Sequence, residues 1–297
     1  MNLGSQNKWL KPAKTSFPLG LAKPSRLGNW LGYLTIWMRL TGFAGEISQI
    51  PLEAGTLHIP DGLQIHRGKL DLLIHLHGAT ETVERNVLAY RKDMPWVTIN
   101  LPGLSSVYSK HFRDPAKWGQ LVQEVIQALQ SNLKQESLAV EACILSSFSA
   151  GFGGVRELLK QSKAIDDIDT LVMIDSLYAG WVGDPSLRSV NPQQMAPFVA
   201  FARLAMTGKK RMLLTHTRLV TPDYASTAET AAYLGEQLQL NWSEEAVEWM
   251  PGMIEWRRAR KAQFMALDFG GSTGQDHLNQ LRHMSIFLNA LVDLSRP

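Results

Sequence analysis

The sequence predicts an α/β fold: a mostly parallel sheet with helices on both faces. Three observations lead there. Apolar runs of strand length alternate with runs at helical spacing almost throughout. One stretch, Ala142 to Gly154, reads strand, sharp turn, helix, and the helix-like run Val155 to Lys160 follows it. The chain has 297 residues and 45% hydrophobic content, enough for one large domain.

Taken in order, residues 1–45 read as an N-terminal arm and an amphipathic helix. Pro12, Pro18 and Pro24 punctuate the arm, and Lys8, Lys11, Lys14, Lys23 and Arg26 give it positive charge. Trp30, Leu31, Leu34, Trp37 and Met38 then suit one helical face. That face packs on a domain or makes weak contact with a membrane surface. Residues 46–297 read as the main domain. Ile47 to Leu52 and Thr56 to Ile59 are short strands about a Gly55 turn. Leu70 to Gly78 is a strand, Glu81 to Lys92 a helix and Trp96 to Asn100 a strand. Leu104 to Phe112 reads as a polar-aromatic loop. Asp114-Pro115 opens a helix carrying Trp118, Leu121, Val125 and Leu129.

The run Asp169 to Asp175 is the next strand. Residues 176–210 fit neither a tight turn nor a simple crossover, and read as a cap insertion with exposed Phe198, Phe201 and Leu204. Arg211 to Thr217 is a strand, and Ser226 with Glu229 is a capping-box start. Trp242 to Lys261 reads as an amphipathic excursion, broken by Pro251-Gly252. Phe264 to Phe269 is the last strand. A glycine-rich loop carries His277 into a closing helix, Leu278 to Leu294.

Composition excludes several classes. Net charge is +3 and no basic stripe with interleaved aromatics appears, so nucleic acid is not a partner. Cys143 is the only cysteine and forms no intrachain disulfide. No run spans a bilayer and no apolar signal segment precedes the domain, so a cytoplasmic location is expected.

The chemistry gathers at strand ends, where functional groups of a parallel sheet collect. Ser149 sits at the apex of the sharp turn, between small residues on both sides, with Ser147 two before it and Gly151 two after. A serine there is a nucleophile once a base removes its proton. His277, on its glycine loop, is a base. Asp175 ends the strand after the turn and would orient the imidazole. Chance supplies any one of these; Ser, Asp and His in this order at strand ends is harder to dismiss. His75 and His77, two apart on a strand, also raise a metal pair with Asp175 or His216, but no His-x-x-x-His or cysteine pair supports it. No metal or organic cofactor is expected.

With these residues the chain resembles the α/β-hydrolase superfamily over about Ile47 to Leu294. The His77-Gly78 strand end, the small-x-Ser149-x-Gly151 turn and the late His277-Leu278 carry the resemblance. It implies that Ser149 is the nucleophile and His277 the base, with an oxyanion hole from the backbone N–H groups of Ala79 and Ala150. Ser147 stands where the family has glycine. The family places its acid after the following strand, which favours Asp223. The turn signature Pro222-Asp223 and the direct strand end at Asp175 favour Asp175. His77, Phe148, Tyr178 and His216 are expected to line the pocket. The expected activity is hydrolysis of a small-molecule ester through an acyl-enzyme. Amide hydrolysis on the same residues and a non-catalytic scaffold are the rival readings.

Overall fold

Apolar residues along each central strand alternate between two buried clusters, so the sheet needs cover on both faces. Leu72, Ile74 and Leu76 enter one cluster and Leu73 the other. Leu171, Met173, Met212 and Leu214 share the first; Val172, Ile174 and Leu213 share the second. The computed structural model describes residues 46–294. The arm and amphipathic helix expected at 1–45 lie outside those residues.

The strands are β1 (Ile47–Pro51), β2 (Thr56–Pro60), β3 (Lys69–Leu76), β4 (Trp96–Ile99), β5 (Ala139–Phe148), β6 (Thr170–Ile174), β7 (Arg211–His216), β8 (Trp242–Met250), β9 (Met253–Lys261) and β10 (Phe264–Phe269). They form one sheet in the order β1-β2-β4-β3-β5-β6-β7-β10-β9-β8. From β4 to β10 every neighbouring pair is parallel. The pairs outside that block are antiparallel.

The helices are α1 (Thr80–Tyr90), α2 (Ser105–Phe112), α3 (Ala116–Leu133), α4 (Phe152–Leu158), α5 (Ser162–Asp167), α6 (Pro192–Met206), α7 (Thr227–Leu238), α8 (Gly274–Arg282) and α9 (Met284–Leu294). α2, α3, α4, α6 and α7 contribute buried residues to the first cluster; α1, α8 and α9 contribute to the second. The α/β class and the mostly parallel sheet covered on both faces are as the sequence predicts. Cys143 is buried in β5. Burial, and then the nearby carboxylates of Asp169 and Asp167, push its thiol pKa far above the usual range.

Four expectations change. Residues 105–112 are a helix, not a loop. Tyr108 and Phe112, four apart, both bury fully. Burial of such a side chain is worth about 1.5–3 kcal/mol, which outweighs the propensity penalties of Ser, Val, Tyr and His, each under about 0.7 kcal/mol. Residues 242–261 are the hairpin β8–β9, turning at Gly252 with φ of +79°. Register shifts after Glu244 and Glu248 break the strand alternation there.

The 176–210 stretch divides in two. Residues 192–206 are a crossover helix packed in the core, with Phe198 and Phe201 buried rather than exposed and Leu204 half-buried. The part before it borders the cleft described below, and the helix adds only Gln194. The closing helix is two helices, and His277 lies inside the first.

α2 and α4 touch through Gly153. A Cβ there would lie 2.1 Å from the Ser105 carbonyl oxygen and 2.8 Å from Ser109 Oγ. The Ser109 hydroxyl donates to the Gly153 carbonyl at 3.1 Å. Gly153→Ala should therefore cost about 1–3 kcal/mol of stability, read as a lower urea midpoint. An unchanged midpoint would contradict this contact.

Candidate active site

Strand register brings the chemistry to one edge. Phe148 pairs with Ile174, and Ile174 with Thr215. The residues after Phe148 and Ile174 are Ser149 and Asp175. Both, like His77 just past β3, have positive φ without being glycine: +47°, +41° and +70°. Such backbone costs about 1–3 kcal/mol per residue and concentrates at functional sites.

Ser149 opens a 3₁₀ turn that runs into α4. The turn lies hard against β3, since a Cβ on Gly151 would meet the Leu76 carbonyl oxygen at 2.3 Å. Ser147 is accommodated through a chain of hydroxyls. Ser176 Oγ donates to the Ser149 carbonyl at 3.0 Å, and Ser147 Oγ lies 2.8 Å from Ser176 Oγ. A buried hydroxyl two residues before the apex thus braces the turn, where glycine would only leave room.

Asp175 is fully buried and saturated with donors. Its Oδ1 accepts from the Thr217 N–H at 2.9 Å and from the Thr227 hydroxyl. Its Oδ2 accepts from the Thr217 hydroxyl at 2.7 Å and faces His277 Nδ1 at 2.7 Å. Burial pushes the carboxyl pKa up, but the His277 hydrogen bond and charge, the Thr227 hydroxyl and the Thr217 N–H outweigh it. The net direction is downward. Asp223 is exposed on the loop after β7.

His277 stands in the first turn of α8. Thr273 caps that helix, and Asp276 returns the bond as the other half of a capping box. The His277 side chain is 13% exposed. Its ring stacks on Phe148, the residue before Ser149, with centroids 4.4 Å apart.

His77 accepts or donates through Nδ1 to the Tyr108 hydroxyl at 3.0 Å. Burial first, then the proximity of His277, lowers its pKa. The next N–H, that of Gly78, is held by Asn100 Oδ1 at 2.9 Å. Ala79 follows as the residue before α1, and Ala150 lies in the turn after Ser149. Backbone N–H groups at such helix starts have no intrahelical acceptor.

Two clefts flank this edge. One, of about 300 Å³, is lined by Ser149, Ala150, Phe152, Arg156, Tyr178 and Gln194 among others. The second, of about 430 Å³, is lined by His77, Ala79, Asn100 and Phe148 among others. His216, expected to line a pocket, borders neither. It is buried 3.7 Å from Asp268 Oδ1, and neither ring nitrogen has a hydrogen-bond partner among the described residues.

His75 and His77 do not form a chelating pair. His75 binds Ser146 Oγ at 3.1 Å and the His77 carbonyl oxygen at 2.9 Å. His77 lies one residue beyond the strand, and its left-handed φ turns it off the shared face. The residues that sequence reasoning missed are Thr217, Thr227 and Ser176. Each acts through a hydroxyl whose target lies at least 27 residues away in the chain. Nothing in the local pattern signals that.

No family model and no curated protein matches the chain. Among solved structures it is similar to an uncharacterised protein from Capnocytophaga ochracea, at 12% identity and TM-score 0.47, over 85% of this chain and 65% of that one. It is similar to the carboxylesterase CesB from Bacillus subtilis, at 10% identity and TM-score 0.44, over 88% and 97% of the two chains. It is also similar to the acylaminoacyl peptidase of Pyrococcus horikoshii, at 13% identity and TM-score 0.46, over 90% of this chain and 43% of that one. The chain thus spans less than two thirds of the first and third of these proteins. Likeness at this level assigns no role to any residue. Among the described residues no helix is long and apolar enough to cross a membrane.

The lowered pKa of Asp175 has a sign for stability. A carboxyl held below its unfolded value of about 3.9 stabilises the fold above that pH, and the contribution is lost as pH falls through the folded value. The stability difference between wild type and Asp175→Asn should be full at neutral pH and shrink below about pH 4. Urea titrations across pH check this; a difference that grows on acidification would contradict it.

Proposed function

We propose that the protein is a serine hydrolase that cleaves a small-molecule carboxylic ester through a covalent acyl-enzyme. The observation that carries the reading is the Asp175–His277 hydrogen bond of 2.7 Å beside a serine on left-handed backbone. The His277 ring stacked on Phe148 keeps the base next to the serine's own strand end.

In this reading His277 Nε2 takes the Ser149 proton as Oγ attacks the ester carbonyl carbon. Asp175 holds Nδ1–H, which fixes the tautomer and offsets the charge that forms on the ring. The N–H groups of Ala150 and Ala79 receive the oxyanion. The tetrahedral intermediate collapses by expelling the alcohol, which takes the proton from His277. Water then repeats the cycle on the acyl-enzyme, and Ser149 recovers its proton. The first cleft, with Tyr178, and the second, with His77 and Phe148, receive the two halves of the ester. The mechanism uses no metal or organic cofactor.

A fluorophosphonate probe should label Ser149. Ser149→Ala should abolish labelling and lower turnover of simple acyl esters by about 10⁴ or more. Labelling that persists and maps to Ser146 or Ser147 would refute the nucleophile. An unlabelled wild type that turns over no ester would favour a scaffold. Asp175→Asn should lower kcat by about 10⁴, and Asp223→Asn should stay within about tenfold. Steady-state kinetics with that pattern reversed would move the acid to Asp223.

A further inference from the structure

Among the described residues that line the cleft beside Ser149, Arg156 carries the one charged side chain. Its guanidinium makes no hydrogen bond to a carboxylate among the described residues; Glu157 stands only at ion-pair distance. Nη1 donates to Gln194 Oε1 at 2.8 Å, a neutral acceptor that also takes the Gly180 N–H at 2.8 Å. Glu157 Oε1 is 4.0 Å from Nε, and Glu157 is already held by Lys160 Nζ at 2.9 Å to each of its oxygens. The Arg156 side chain is only 16% exposed. A guanidinium has five N–H donors in a fork suited to a carboxylate. Holding one so enclosed with one neutral hydrogen bond is costly unless an anion arrives.

Its position matters as much as its charge. Arg156 lies one helical turn beyond Phe152, and Phe152 lies three residues beyond Ser149. Long side chains on a helix lean towards its N-terminal end, and the guanidinium indeed sits over the Phe152 ring, 5.4 Å from the centroid. The cation therefore hangs over the turn that starts at the nucleophile. Tyr178 closes the same cleft. It makes ring contacts with Phe152 and Tyr224, and its hydroxyl has no hydrogen-bond partner among the described residues. Burial pushes the Arg156 pKa down; Glu157 pulls it up and Arg113 pushes it down again. A bound anion would favour the charged form and so oppose both downward effects.

We propose that Arg156 anchors a carboxylate on the substrate, and that the ester opened at Ser149 is a monoester of a short dicarboxylic acid. The substrate assignment rests on the acyl-transfer reading above. The cleft of about 300 Å³ takes an acyl chain of a few carbons between the carbonyl and the far carboxylate. One guanidinium fork matches one carboxylate in charge and in donors, whereas a phosphate dianion would remain half neutralised.

The test compares 4-nitrophenyl hydrogen glutarate and adipate with 4-nitrophenyl pentanoate. Wild type should prefer the anionic esters in kcat/KM. Arg156→Gln should lower the ratio of anionic to neutral kcat/KM by about 10–100-fold, the scale of hydrogen bonds to charged groups. Arg156→Lys should recover part of it, because a point charge keeps attraction without the fork. Calorimetry of free glutarate against Ser149→Ala, with and without Arg156→Gln, reads the anion site without catalysis; binding should vanish with the arginine. Ser149 labelled, neutral esters cleaved and no preference for the anionic esters would overturn the Arg156 assignment and leave the hydrolase. Arg156-dependent glutarate binding with no labelling and no ester cleaved would keep the carboxylate site and overturn the acyl-transfer reading.

Discussion

The buried charge of Asp175 is the constraint on which the site depends. An ionised carboxylate with no water around it costs several kcal/mol unless every lone pair finds a donor. Here the donors come from three separate places: the end of β7 through Thr217, the start of α7 through Thr227, and the start of α8 through His277. His277 lies 102 residues further along the chain. The carboxylate can remain charged only when all three have closed over it. Formation of the site and completion of this end of the fold are in that sense one event.

The second requirement is that the backbone be held where it does not want to be. Ser149, Asp175 and His77 all have left-handed φ at neighbouring strand ends. Each is tied down locally. The Asp175 N–H is held by the Thr215 carbonyl and hydroxyl at 3.1 Å each. The carbonyl of Ser149 is held by Ser176. The His77 N–H donates to the Ile99 carbonyl at 3.0 Å. The energy of these three conformers is drawn from the two apolar clusters that the alternating strands fill.

That division explains what could be read beforehand. Strands with uninterrupted burial, such as 170–174 and 212–216, are legible because their apolar runs stand out from the flanking polar segments. The turn at Ser149 is legible because close approach to Leu76 admits only small residues. The helix at 105–112 was not, since its signal is two aromatic residues among poor helix formers. The hairpin at 242–261 was not, since bulges scramble its two-residue period. The Ser149 and Asp175 positions follow from strand ends, and that of His277 from the glycine-rich loop after the last strand. The hydroxyls that hold Asp175 and the Gln194 that holds Arg156 are contacts between distant segments, and periodicity carries no trace of them.

One feature of β5 bears on how the protein can be handled. Cys143 is the only thiol in the chain, and it is buried and kept protonated. Alkylating reagents attack thiolates, so the native protein is silent to maleimides while folded. Any cysteine placed on the surface becomes the sole reactive handle. Leu104 lines the cleft yet is 74% exposed. A fluorophore attached there would report occupancy of the cleft in real time, with no background from the native chain.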